Sequence, residues 1–190
     1  MSVPAAWAPL RHADIYLIDH VLRGTIQPGD TVADLGCGGG RNLAVLAEIG
    51  CSVTFVDADP AAVTAASRLA ECLPGLHRAL VGSLPDLDLE HSCDVVLSNA
   101  VLHFAPNQTQ FHAWADACWR QLAPGGVFLA RLSTRIGLPD AKPPGFRYLA
   151  DGADIADCEQ RWGAERIDPL KTTLVDELRT MTTWALRRPR

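Results

Sequence analysis

Val32-Ala33-Asp34-Leu35-Gly36-Cys37-Gly38-Gly39-Gly40-Arg41-Asn42 is the stretch on which the reading of this 190-residue chain turns. Thr31 to Leu35 has the short apolar pattern of a buried strand and Leu43 to Ile49 that of a helix, so the glycines occupy a strand-to-helix turn. Glycine in such a turn lets the backbone approach a ligand with no Cβ in the way. A second strand, Ser52 to Val56, ends at Asp57, which lies 21 residues after Gly36, where a carboxylate can bind ribose hydroxyls. The combination predicts a ligand containing a nucleoside. A dinucleotide fingerprint, G-x-G-x-x-G, would need its third glycine at position 41, which is Arg41. No G-K-[ST] closes the turn, which excludes a P-loop. What stands is an acidic residue at a strand end followed by alternate glycines, Asp34-x-Gly36-x-Gly38-x-Gly40.

Outward from the turn, strand and helix patterns alternate. A helix opens at Pro60 and runs to 72, and strands follow at Arg78–Val81 and Cys93–Ser98. Asn107 with Gln110 resembles a capping box for a helix whose stripe is Phe111, Trp114, Ala115, Cys118, Trp119 and Leu122. Pro124-Gly125-Gly126 ends that helix ahead of a strand at Val127–Leu132. Residues 133–150, with Pro139, Pro143 and Pro144, read as a long loop. A helix at Asp151–Trp162 and strands at Glu165–Asp168 and Met181–Leu186 complete the chain. Upstream, residues 1–10, with Pro4 and Pro9, read as an extended arm. Residues 11–23 read as a helix presenting Ile15, Ile18, Val21 and Leu22. The class is α/β: a mostly parallel, seven-stranded sheet with helices on both faces, forming a single domain over 1–190.

Composition narrows the function. Hydrophobic residues at 48% and charged residues at 21% are ordinary for a globular chain, not a disordered one. A net charge of −5 argues against a nucleic-acid backbone as the main partner. No run approaches the ~18 apolar residues of a membrane span. Met1-Ser2-Val3-Pro4 shows no charged segment before an apolar run, so no export signal is visible and a cytoplasmic location is expected. The six cysteines form no C-x-x-C, and no histidine pair has metal-ligand spacing, so neither a zinc site nor any other metal is expected.

At this point a resemblance becomes specific. The chain resembles the class I S-adenosylmethionine-dependent methyltransferases. Val32 to Asn42 is similar to the family's first motif and Val53-Thr54-Phe55-Val56-Asp57-Ala58-Asp59-Pro60 to its second. Cys93-Asp94-Val95-Val96-Leu97-Ser98-Asn99-Ala100-Val101-Leu102-His103-Phe104 is similar to the fourth, and Leu122-Ala123-Pro124-Gly125-Gly126 to the turn before the fifth strand. The resemblance implies a Rossmann-like sheet with an antiparallel last strand, and S-adenosyl-L-methionine as cofactor, leaving S-adenosyl-L-homocysteine. It implies that Gly36, Gly38 and Gly40, with Cys37 and Asn42 of the same turn, wrap the methionine half. Asp34 would meet its ammonium group, Asp57 the ribose hydroxyls and Ala58 the adenine. Where the family often has an aspartate near the adenine amine, this chain has Ser83 followed by Leu84, a departure from the pattern. Asn99 would close the methionine side, and Tyr16, on the N-terminal lid helix within 1–24, would form one lip of the site.

A sulfonium already activates its methyl group, so the protein need only orient a nucleophile in line and exclude water. Asn99-Ala100-Val101-Leu102 lacks the Pro-Pro-aromatic run of the nucleic-acid amino-methyltransferases, which favours a small acceptor. His103 reads equally as a general base or as a structural histidine. From Arg131 to Arg147, four basic residues (Arg131, Arg135, Lys142, Arg147) stand against Asp140, a local charge of +3. This suggests that the 133–163 segment faces an anionic acceptor, with Arg131 contributing to catalysis. The competing reading pairs these arginines with local carboxylates. Size and layout are similar to the tellurite-resistance-type small-molecule methyltransferases. Two other functions stay open: a catalytically silent cofactor-binding module, and a nicotinamide-dependent oxidoreductase, which Arg41 disfavours. A monomer or homodimer fits either way.

Overall fold

Parallel strands buried on both faces need unbroken apolar runs, and the two strands around the glycine turn have them. The computed structural model describes residues 5–140, 145–176 and 178–190. The chain divides into two units, one ending at Ser83 and one starting at Leu84.

In the first unit, a 3-10 helix, Ala5–Arg11, precedes α1 (Ile15–Leu22). Then come β1 (Thr31–Leu35), α2 (Leu43–Glu48), β2 (Ser52–Asp57), α3 (Pro60–Ala70) and β3 (His77–Val81). β1 and β2 are parallel from Thr31 opposite Ser52 to Leu35 opposite Val56. β3 adds in parallel on the other side of β2, from Val53 opposite His77 to Asp57 opposite Val81. Asp59 caps α3 by accepting from the Ala61 amide, with Pro60 at the first helical position, as the sequence suggested.

The N-terminal reading needs correction. Ala5–Arg11 is a 3-10 helix and not an extended arm; Pro4 lies outside the described residues. The following helix starts at Ile15, because the Asp14 side chain caps it by accepting from the Tyr16 amide. The face it buries is that of Leu17 and His20, whereas Ile15 and Leu22 are exposed. Eight residues are two turns of helix, too few for periodicity to choose between adjacent faces.

The second unit comprises β4 (Cys93–Asn99), α4 (Gln108–Arg120), β5 (Leu122–Leu132), α5 (Gly152–Trp162), β6 (Glu165–Arg166), β7 (Lys171–Val175) and β8 (Arg179–Arg187). β4 and β5 are parallel, and β8 runs antiparallel to β5, β6 and β7. β7 was not among the expected strands; its burial is broken and polar, so neither apolar run nor alternation announces it. The Pro124-Gly125-Gly126 turn falls inside β5 as a bulge: Cys93 faces Leu122, and the next aligned pair is Val95 with Val127. Gly126 is needed there, because a Cβ would lie 2.8 Å from the Ala123 carbonyl oxygen and 3.0 Å from that of Asp94.

Of the stripe read for α4, Phe111, Ala115, Cys118 and Trp119 are buried, Trp114 is half-buried, and Leu122 lies beyond the helix as the first residue of β5. The helix joins a stack in which Trp119 and Trp162 lie 4.7 Å apart and Trp162 and Trp184 5.5 Å apart, Phe128 meeting the last two edge-on. Two of the indole edges are satisfied: Trp162 donates to Asp116 and Trp184 to Glu159. Within the loop read over 133–150, Thr134 bridges to Ala150 and Arg135 donates its amide to the Ala150 carbonyl; Lys142, Pro143 and Pro144 lie outside the described residues. No helix among the described residues is long and apolar enough to cross a membrane.

Candidate active site

β1 carries Asp34 to the carboxyl end of the first unit's sheet, and the chain then turns through Gly36, Gly38 and Gly40, all with positive φ. The turn is fastened to β2: the amides of Gly36 and Cys37 both donate to the Val56 carbonyl, and Gly38 donates to Asp57 Oδ2 at 2.9 Å. Asp57 Oδ1 accepts from the Asp59 amide at 3.0 Å. The Asp57 carboxylate is thus oriented by two amides while the residue remains half-buried. Gly40, at φ +85, packs so closely on α3 that a Cβ would lie 3.2 Å from that of Ala66.

Asp34 is the outlier of this region. It is 1% exposed, and neither carboxylate oxygen has a hydrogen-bond partner. Burial pushes its pKa up to about 7; Arg41 and Asn42 oppose the shift and Asp57 adds to it. Asn42 Oδ1 accepts from the Asp14 amide at 3.1 Å. A buried carboxylate without a donor costs stability. A cation with N–H donors would satisfy it.

The N-terminus of α1 is tied to the same turn. Asp14 binds the Asn42 side chain through its amide, and its carboxylate lies 3.6 Å from Arg41. Tyr16, half-buried, follows directly. Asp14 and Arg41 adjoin the glycine turn, and the sequence reading gave neither a place at the candidate site. The signal was present, since an aspartate just before an apolar run is a helix N-cap, but the helix was started at residue 11. Cys37 is buried and its thiol is pushed up to about 12 by burial and then by Asp34 and Asp57, so it fills space and is no nucleophile. Ala58 and Ser83 are exposed; the amide of Gly82 donates to the Asp57 carbonyl, which holds the Ser83 turn at the end of β2.

The remaining residues singled out belong to the second unit. Leu84 is its first residue and is half-buried. Asn99 ends β4 opposite Arg131 of β5, and Arg131 is opposite Thr183 of β8, so the three form one row across the sheet. Asn99 Nδ2 and Thr183 Oγ1 are buried without a hydrogen-bond partner. Ala100 follows at φ +62, a strained backbone for a residue with a Cβ.

His103 sits on a single 3-10 turn, Leu102–Phe104, and is buried. Its Nδ1 accepts from the Ser133 amide at 3.1 Å, so the neutral ring carries its proton on Nε2. Burial, then Arg179, lowers its pKa to about 4. A ring in this state is a weak base at neutral pH, and its chemistry is that of an N–H donor. Phe104 and Phe146 pack against it with centroids 4.6 and 4.1 Å away. Ser133, Phe146 and Arg179 escaped the sequence reading because only the fold gathers them around residue 103.

Residues 33–130 match the family described as Methyltransferase domain, which is more than half of the chain. The chain belongs to this family and has the α/β fold of the class I S-adenosylmethionine-dependent methyltransferases, a mostly parallel sheet with an antiparallel last strand. It is 34% identical over 133 residues to a ubiquinone biosynthesis O-methyltransferase of Xanthomonas oryzae pv. oryzae, an alignment covering 66% of this chain and 52% of that one. The chain spans about half the length, or less, of the curated relatives it matches first. Among solved structures, magnesium protoporphyrin IX methyltransferase from Synechocystis PCC 6803, with bound S-adenosylhomocysteine, aligns with a TM-score of 0.74 at 19% identity, covering 92% of this chain and 80% of that one. TehB from Haemophilus influenzae aligns with a TM-score of 0.71 at 19% identity over 90% of this chain and 62% of that one. At these identities the likeness is one of fold.

Proposed function

We propose that the chain is an S-adenosylmethionine-dependent methyltransferase that moves a methyl group to a small-molecule acceptor by in-line displacement. The observation that carries this reading is Asp34: a buried carboxylate, without donors, beside a glycine turn in which the amides of Gly36, Cys37, Gly38 and Gly40 are committed elsewhere. The α-ammonium of S-adenosylmethionine supplies the charge and the N–H groups that Asp34 lacks. The Asp57 carboxylate, oriented by Gly38 and Asp59, is suited to the two ribose hydroxyls. Gly36 and Gly38 are assigned to the methionine half, Gly38 with open space where a Cβ would be, while Gly40 seats the turn on α3; Cys37 and Asn42 are assigned to the same turn. Within the first unit, Ala58 and Ser83 are assigned to the adenine end and Tyr16 to the edge of the site; Leu84 and Asn99 are the second unit's residues that the family resemblance assigns to the cofactor.

When bound, the cofactor supplies a sulfonium-activated methyl group. The chain's own residues bind, orient and exclude water, the main routes to rate for a reaction whose electrophile is already activated. Arg131 and His103 are assigned to the acceptor, with His103 as a hydrogen-bond donor through Nε2 and not as the base.

Calorimetry with S-adenosylhomocysteine tests the reading. Binding tighter than about millimolar, the weak end of specific affinity, is expected. Asp57→Ala is expected to weaken it, since ribose hydroxyls would be left unpaired. No binding by the unaltered chain overturns the reading. Turnover with thiols, phenols, amines and carboxylates then separates an enzyme from a silent binding module.

A further inference from the structure

The second unit gathers positive charge and exposed aromatic surface around His103, although the chain as a whole carries −5. The Arg179 guanidinium lies over the Phe146 ring, 5.7 Å from its centre, and Arg179 is half-buried. The Arg147 amide donates to the His103 carbonyl. Among the described residues, the side chains of Arg135, Arg147 and Arg179 form no ion pair with a carboxylate. The buried carboxylate of this unit, Asp154, is already committed to Gln108, Tyr148 and the Asp151 amide. The reading in which the loop's arginines pair with local carboxylates therefore does not hold for Arg135 and Arg147 among the described residues.

Around that charge the walls are flat rings. Phe104 and Phe146 meet edge-to-face at 5.6 Å, and Phe104 is 45% exposed. Ser133, whose amide holds His103, has a fully buried hydroxyl with no hydrogen-bond partner. The half-buried Arg179 guanidinium presents a fork of donors beside a ring, and a carboxylate is the group that fork matches. Flat rings favour a flat body beside the charged group.

We propose that His103, Phe104, Phe146 and Arg179 form a subsite for a planar organic carboxylate, with Arg179 as its counter-charge and the rings as its walls. This rests on the methyl-transfer reading in that the bound carboxylate is the acceptor or carries the accepting atom. The His103 Nε2–H is a further donor in this cluster.

Binding can be read without turnover. Benzoate, its neutral counterpart benzamide and the ring-free anion acetate are titrated by calorimetry into the full chain saturated with S-adenosylhomocysteine. Benzoate is expected to bind at least tenfold more tightly than either of the others. Arg179→Gln is expected to weaken benzoate by about 10- to 100-fold, the range for losing a charge-assisted hydrogen bond, and to leave S-adenosylhomocysteine binding unchanged. Arg179→Lys, which keeps the charge but not the fork, should fall between. Phe146→Leu should weaken benzoate severalfold and acetate not at all. Equal affinities for benzoate and benzamide, no benzoate binding by unaltered protein that binds S-adenosylhomocysteine, or benzoate binding unaffected by Arg179→Gln would overturn the subsite. Failure of the unaltered protein to bind S-adenosylhomocysteine would instead overturn the cofactor reading.

Discussion

Asp34 in the first unit and His103 in the second are both buried ionisable groups near strand ends, and burial pushes both toward neutrality. They differ in what surrounds them. The Nδ1 of His103 is satisfied by the Ser133 amide, so the folded chain itself supplies the partner. The carboxylate of Asp34 has none. A buried polar group that its own fold completes is explained by the fold, whereas one left incomplete points to a ligand. The same contrast separates Asn42, held by Asp14, from Asn99, whose Nδ2 is left open.

The largest consequence is a pair of opposed pH dependences. The Asp34 pKa is raised in the folded chain from 3.8 to about 7, so the fold holds that proton more tightly than the unfolded chain does. Its contribution is fully present at low pH and is lost as pH rises from about 4 to 7. The His103 pKa is lowered from 6.5 to about 4, so the unfolded chain takes the proton first, and stability is lost as pH falls through that range. At ~1.4 kcal/mol per pKa unit, the two amount to about 4 and about 3 kcal/mol, of opposite sign over nearly the same window. The ligand-free protein should therefore show a nearly flat urea midpoint between pH 4 and 7. Asp34→Asn should expose a stability that climbs with pH, and His103→Gln one that falls. Parallel slopes in the two variants would break the contrast.

Ligand binding sharpens it next. Asp34→Asn is expected to stabilise the ligand-free protein near pH 7 while weakening S-adenosylhomocysteine by ~100-fold, the scale of losing a buried charged hydrogen bond. His103→Gln should leave that affinity unchanged. Calorimetry at pH 7.5 measures both, and a loss for His103→Gln equal to that for Asp34→Asn would remove the distinction.

Smaller effects belong to the scaffold. Gly126→Ala places a Cβ against two backbone oxygens in the β5 bulge and should cost ~1–3 kcal/mol in chemical denaturation, as overpacking does. Gly38→Ala, whose Cβ meets nothing within 4 Å, should cost only the ~1–2 kcal/mol of a left-handed backbone. Smallest, Asp59→Ala and Asn107→Ala each remove a helix cap and should cost ~1 kcal/mol. Equal cap losses would show that the two units differ at the site and not in how their helices are built.

The regions also differ in how much of them the sequence made legible. Asp34, the glycines and Asp57 lie on two strands joined by one helix, so order and spacing alone placed them together. The α4 stripe was legible because thirteen residues give a helix enough turns to display a face. The buried face of α1 was not, because its eight residues admit Leu17 with His20 as readily as Ile15 with Leu22. β5 was cut short because Pro124-Gly125-Gly126 reads as a turn, and only pairing with β4 shows it to be a bulge within a strand.

From the sequence by itself came the α/β class, the glycine turn with its two aspartates, and the family resemblance, because each is written in contiguous residues whose local geometry follows from their own chemistry. Only the tertiary structure decided the rest. It left Asp34 without a donor, committed His103 Nδ1 to Ser133, and brought Phe146 and Arg179 beside a histidine more than forty residues earlier in the chain. Protonation and partnership depend on what surrounds a group in space, and for His103 those neighbours arrive from distant segments that no local pattern connects.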